Sequence, residues 1–188
     1  MTKEQAKYFP QTKSELRSLI EQRIKEEGNE VNLNDIDVSA ITDMSWLFCD
    51  LDFNGDVSGW NVSNVTNMMN MFYDCESFNK DLSDWDVSNV TNMSFMFCGC
   101  YYLNPNISNW DVSNVTDMDH MFCMCKSFNQ DLSNWDVSSV TIMSFMFQGC
   151  ESFNQDLSNW DVSKVRYKTD AFYFCPIKDE YKPKFKYI

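Results

Sequence analysis

The chain repeats itself every 25 residues: Trp60, Trp85, Trp110, Trp135 and Trp160 keep that step, and so do Cys75, Cys100, Cys125, Cys150 and Cys175. A fixed period of this length means a fixed supersecondary unit, stacked so that each copy buries its apolar face against its neighbours. One copy cannot fold alone. Truncation from either end is therefore expected to loosen the array by more than the lost length suggests.

Two shorter periods follow each other inside one copy. Trp85 and Val87 alternate with Asp84, Asp86 and Ser88, the pattern of a short strand with one wet face. Met93, Met96, Phe97 and Cys100 then stand at i, i+3, i+4 and i+7, the stripe of a short helical turn that Ser88, Asn89 or Thr91 is placed to cap. Phe78, Leu103, Phe128 and Phe153 mark the return, and Leu82, Ile107, Leu132 and Leu157 lead into the next copy. Each coil is thus expected to carry strand, corner, helical turn and return.

The spacing Leu82-x-x-Trp85-x-Val87-x-x-Val90 resembles the opening of a leucine-rich repeat. With Asp86-Val-Ser-Asn-Val-Thr-Asn-Met, Met96-Phe97-x-x-Cys100 and Phe128-Asn-Gln-Asp-Leu-Ser-Asn-Trp135, the whole unit resembles the BspA-like family of bacterial leucine-rich-repeat surface proteins, over residues 35–175. The resemblance implies an α/β fold: a right-handed leucine-rich-repeat-type solenoid with a parallel sheet on one face and short helical turns on the other. It also implies a surface-anchored or secreted protein with a role in adhesion to host or matrix proteins.

Residues 1–34 read as an N-terminal helical cap. The first twelve are polar and expected to fray; Thr12-x-x-Glu15 has capping-box spacing, Leu16, Leu19, Ile20 and Ile24 share one face, and Gly28 stops the helix. Residues 35–175 hold six rungs, beginning with a degenerate one in which Ile36 takes the tryptophan position and the step is 24. Pro176 and Pro183 break the pattern, and residues 176–188 read as a basic cap or tail. Asn54, Asn79, Asn104, Asn129 and Asn154 recur at the return, where a structural asparagine ladder is expected.

The net charge is −13, which argues against nucleic acid or an anionic membrane as partner. It is unevenly placed: residues 29–163 hold 20 acidic and two basic residues, residues 164–188 three acidic and seven basic. An acidic body of this kind favours a cationic partner. No apolar run reaches the length of a membrane span, and no apolar leader follows Met1. The expected compartment is the cytoplasm if Met1 is the native start, and the cell surface or exterior if a leader has been removed.

The cysteines of the 25-residue ladder occupy the i+7 place of the apolar stripe and are expected to be small buried thiols. Cys98-x-Cys100 and Cys123-x-Cys125 invite comparison with a four-sulfur metal site, but residues two apart in a helical turn point to opposite sides, so one of each pair is expected to face the core. His120, the lone histidine, is expected at the surface. The acidic residues recur with the period, whereas an active site needs one geometry once; no enzyme, no metal and no cofactor are expected.

Two surfaces are candidates for binding. Asp84, Asp86, Asp111, Asp136 and Asp161 are expected on the open face of the sheet, where repeated like charge is unfavourable unless local hydrogen bonds or a cationic partner offset it. Trp46, Phe95 and Phe145 stand between the stripe methionines, in a register shared with Asn70 and His120, and are expected either to point outwards as a contact surface or to fold over and cover the neighbouring rung or pack on the termini. The chain thus reads as a non-catalytic protein-binding module of BspA-like leucine-rich-repeat type, adhesive to extracellular matrix; the alternative is a cytoplasmic inhibitor or immunity-type protein that takes a basic partner on its acidic face.

Overall fold

In the computed structural model, which describes residues 6–185, the rungs stack in register at the step read from the sequence. An isolated parallel bridge joins Asp43 to Asn67, and the series continues through Asn92, Asp117 and Ile142 to Tyr167. Each rung is a closed loop of tight turns around one apolar column. Between Leu82 and Leu103 the amides of Trp85, Val90, Met96, Cys98, Cys100 and Leu103 each donate to the carbonyl three residues back.

The parallel sheet and the helical turns of the expected leucine-rich-repeat solenoid do not form. Among the described residues there is one α-helix, one 3-10 turn and no strand, and β pairing is confined to isolated bridges. The reason lies in how the amides are shared. At Met93, Phe95, Phe97 and Gly99 they donate to Asp117, Asp119, Met121 and Cys123 of the next rung, while those of Met96, Cys98 and Cys100 close turns within their own. A helix needs an unbroken run of negative φ, yet Phe95 (φ 57°) and Gly99 (φ 81°) are left-handed. Successive three-residue turns still bring Met93, Met96, Phe97 and Cys100 inwards, so the stripe is buried without a helix. Likewise Trp85 and Val87 alternate with exposed Asp86, but Asp86 opens a turn and no ladder runs through it.

Stacked rings fill the core. Phe48, Phe72, Phe97, Phe122, Phe147 and Phe172 form a column with centroids 5.0, 5.6, 5.9, 5.5 and 5.5 Å apart. Each tryptophan of the repeat sends its indole N–H back across the rung, Trp85 to the Val57 carbonyl at 3.1 Å and Trp110 to that of Leu82 at 2.9 Å. The polar end of each large ring is thereby satisfied inside the core. Outside, the asparagine ladder runs as expected: the amides of Asn79, Asn104, Asn129 and Asn154 bond the side-chain oxygen of the asparagine one rung earlier.

Helix α1 (Lys13–Glu27) closes the first rung. Thr12 accepts from the Glu15 amide at its start, and Leu16 and Ile20 are buried in the common core, with Leu19 and Ile24 packed against it. The amides of Met44, Trp46, Phe48 and Asp50 donate forward to the next rung, so the carbonyls along this stretch of the first rung need another donor. Arg17 supplies it, its guanidinium reaching the carbonyls of Trp46 and Leu47 at 3.0 and 2.8 Å. The fraying expected before Thr12 is corrected for the described part: Tyr8 bridges Ile36, and the Asp37 amide donates to the Tyr8 carbonyl at 2.9 Å. At the other end a 3-10 turn, Asp179–Tyr181, meets the last rungs through the Leu157 amide on the Tyr181 carbonyl. Residues 1–5 of the expected N-terminal cap and 186–188 of the expected tail lie outside the described residues.

The bridge column carries a testable irregularity. Asn67 and Asn92 accept from the amide two residues on, and Asp117 makes the same bond to Asp119 with a carboxylate. Desolvation lifts the Asp117 pKa above the ordinary aspartate value. The folded chain therefore prefers the protonated form, and stability is lost as pH rises through the aspartate range. Asp117→Asn is expected to raise stability at neutral pH by up to about 1 kcal/mol and to gain little near pH ~4, as read by urea melts at both pH values.

Candidate binding surface

Asp86, Asp111, Asp136 and Asp161 form one exposed column with a step of one rung. Each opens a turn, its Oδ1 accepting from the serine amide two residues on: Ser88 at 3.1 Å, and Ser113, Ser138 and Ser163 at 3.0 Å. This local bond is why the repeat keeps an aspartate there. The Ser88 and Ser138 hydroxyls, and then their amides, hold the carboxyls of Asp86 and Asp136 below the usual aspartate range. Among the described residues Asp86, Asp111 and Asp136 make no ion pair. Rungs about 5 Å apart keep successive charges well inside one screening length. Asp136 feels both its column neighbour Asp161, which raises its pKa, and Lys164, which lowers it by less.

Asp84 does not join them. It lies exposed one register away, where the other rungs carry Gly59, Asn109, Asn134 and Asn159.

The aromatic set divides in two. Phe95, His120 and Phe145 stack with centroids 4.3 and 4.6 Å apart and are half-buried. They cover one another instead of pointing outwards, ring on ring across three successive rungs, on a left-handed backbone of φ 57°, 53° and 56° that Trp46 shares at 63°. His120 is held from the side by Asp119, Nδ1 to Oδ2 3.0 Å. Asn70, 5% exposed, interrupts the register, and Trp46 stands apart at 50% exposed. Trp46 lines a shallow depression with Lys13, Arg17 and Leu47.

Two further features escaped sequence reasoning. Asp50, Asp52, Asp74 and Glu76 line one depression between the first two rungs, and burial, then Asp50, lifts the Asp74 carboxyl. They were hidden because these rungs repeat at 24, which aligns Asp50 with Asp74 and Asp52 with Glu76. The last rung shows Tyr167, Tyr173 and Phe174 at 62, 48 and 73% exposed. Their signal was the appearance of aromatics where the rung before carries Ile142, Gln148 and Gly149.

The thiols sort by side. Cys75, Cys100, Cys125 and Cys150 are buried and donate to the carbonyls of Phe48, Phe72, Phe97 and Phe122. Cys175 is only partly buried. Cys98 and Cys123 lie off this column and influence each other's titration, and the Cys123 thiol donates to the Gln148 side-chain oxygen at 3.7 Å. Every buried side-chain nitrogen and oxygen among the described residues has a partner.

A family model described as "Mycoplasma protein of unknown function, DUF285" matches residues 15–110 and 100–180. The chain belongs to the DUF285 family. The two matches together run from within helix α1 through the stacked rungs. Neither the curated proteins nor the solved structures yield a match. No helix among the described residues of this DUF285 chain is long and apolar enough to cross a membrane.

Proposed function

We propose that the chain is a non-catalytic protein-binding module whose acidic column takes a basic partner. The observation that carries this reading is the run Asp86, Asp111 and Asp136: exposed, without ion pairs among the described residues, and repeated at one-rung spacing. A regular row of carboxylates suits a row of cationic side chains, and complementary charge of this kind sets association rate and partner choice. The carboxylates around Asp50 and Glu76 add to the same field. A cytoplasmic inhibitor or immunity-type role follows from a single tightly held basic protein.

A second reading rests on the repeat: its resemblance to BspA-like surface proteins favours adhesion to matrix proteins, with exposed Trp46 as a contact. Capture of partners with the intact chain, at low and high salt, separates the two. One basic cellular protein held at low salt and released at high salt supports the first reading; capture of matrix proteins alone, insensitive to salt, replaces it with the second.

A further inference from the structure

The pair Cys98 and Cys123 differs from every other cysteine of the chain. The Gly99 amide donates to the Cys123 carbonyl at 2.9 Å, which fixes the two residues as register partners on adjacent rungs. Rungs paired in this way lie about 5 Å apart, inside the Cα separation that a disulfide spans. The two thiols are near enough for each to shift the other's titration. Cys98 is partly exposed and Cys123 is 7% exposed, with Gln148 3.7 Å from its sulfur.

The core thiols have the same rung step but different surroundings. Cys100 and Cys125 are fully buried, each S–H is committed to a carbonyl, and desolvation pushes their pKa values up. Cys49 has no thiol neighbour in its register, where the next rung carries Tyr73. At Cys123 the neighbouring Cys98 thiol lowers the pKa, against the opposing pull of burial, Asp119 and Asp74. A thiolate that a second thiol supports from the side is the arrangement that permits oxidation and resolution in one place.

We propose that Cys98 and Cys123 form a peroxide-responsive dithiol that closes to a disulfide across two adjacent rungs. The Cys123 thiolate attacks one oxygen of hydrogen peroxide; the O–O bond breaks, and the departing hydroxide takes up the proton Cys123 had released, leaving as water and a sulfenic acid at Cys123. The Cys98 sulfur then attacks the Cys123 sulfur, and the sulfenic hydroxyl leaves with the Cys98 proton as a second water. Two thiols lose two electrons and two protons, and one peroxide becomes two waters. The closed bond ties the third of the six rungs to the fourth and leaves the core thiols reduced.

The test is peroxide treatment of the intact chain, alkylation of remaining thiols and digestion before aspartates, which separates the fragment 86–110 from the fragment 119–130. The expected result is a Cys98–Cys123 cross-link located by fragment sequencing, reversed by dithiothreitol, with a higher melting temperature in the oxidised form. In Cys98→Ser the sulfenic acid at Cys123 is expected to persist and to be trapped by dimedone. A wild-type chain that keeps both thiols free under peroxide, or that cross-links through Cys100 or Cys125 instead, overturns the proposal, and this mapping stands whether or not the variant folds.

Discussion

Phe97→Ala, in the interior of the phenylalanine column, is expected to destabilise the chain by about 3–5 kcal/mol. Phe97 is fully buried and packs against Phe72 at 5.6 Å, Phe122 at 5.9 Å and Trp110 at 6.3 Å. Its removal opens a cavity at both faces of one rung, and a rung is stable only through its two neighbours. Phe172 has its ring neighbour on one side, Phe147 at 5.5 Å, and is only partly buried. Phe172→Ala is expected to cost distinctly less. Equal losses in a denaturant titration of the two variants contradict the view of the array as a sum of rung-to-rung interfaces.

Neutralising Asp86, Asp111 and Asp136 together, each to Asn, is expected to weaken binding of a basic partner by roughly 3- to 150-fold. Three exposed charge pairs at about 0.2–1 kcal/mol each give that range. The choice of substitute matters. Each aspartate also closes a turn, so Asp→Lys would remove the acceptor and confuse charge with folding. Asn61 already occupies this register one rung earlier and accepts from the Ser63 amide at 3.2 Å and the Ser63 hydroxyl at 2.7 Å. The triple variant is therefore expected to melt as the parent does while losing affinity. Unchanged affinity transfers the role to another surface, and Phe95→Ser with Phe145→Ser then examines the stacked strip.

The repeat, its step and the identity of the core were legible because tryptophan, phenylalanine, methionine and cysteine recur in fixed registers. The N-terminal helix was legible for a different reason: Thr12, Glu15 and Gly28 are local signals that act within one segment. The backbone of the rung was not. A stripe at i, i+3, i+4 and i+7 records which residues face inwards, and a run of three-residue turns produces it as well as a helix does. The deciding quantity is the sign of φ at Phe95, His120 and Phe145, and an aromatic residue gives no hint that it sits in the left-handed region. Phe95, His120 and Phe145 have ring neighbours on adjacent rungs and close into a half-buried stack, whereas Trp46, on the same left-handed backbone, has Asn70 as its neighbour and stays exposed. The acidic column was read correctly as periodic, but its double role became visible only with the serine amides in place. The Asp50, Asp74 cluster was missed because it straddles the one step of 24.

The salt dependence of the dissociation constant for a captured basic partner tests the central claim most directly. Screening lengths fall from about 30 Å at 0.01 M to about 3 Å at 1 M, so a site built from exposed carboxylates must weaken steeply across that range. The predicted result is a steep loss of affinity for the parent chain and a much flatter dependence for the triple Asn variant. An affinity that stays constant with salt, or that falls equally steeply in both chains, contradicts the assignment of binding to the acidic column.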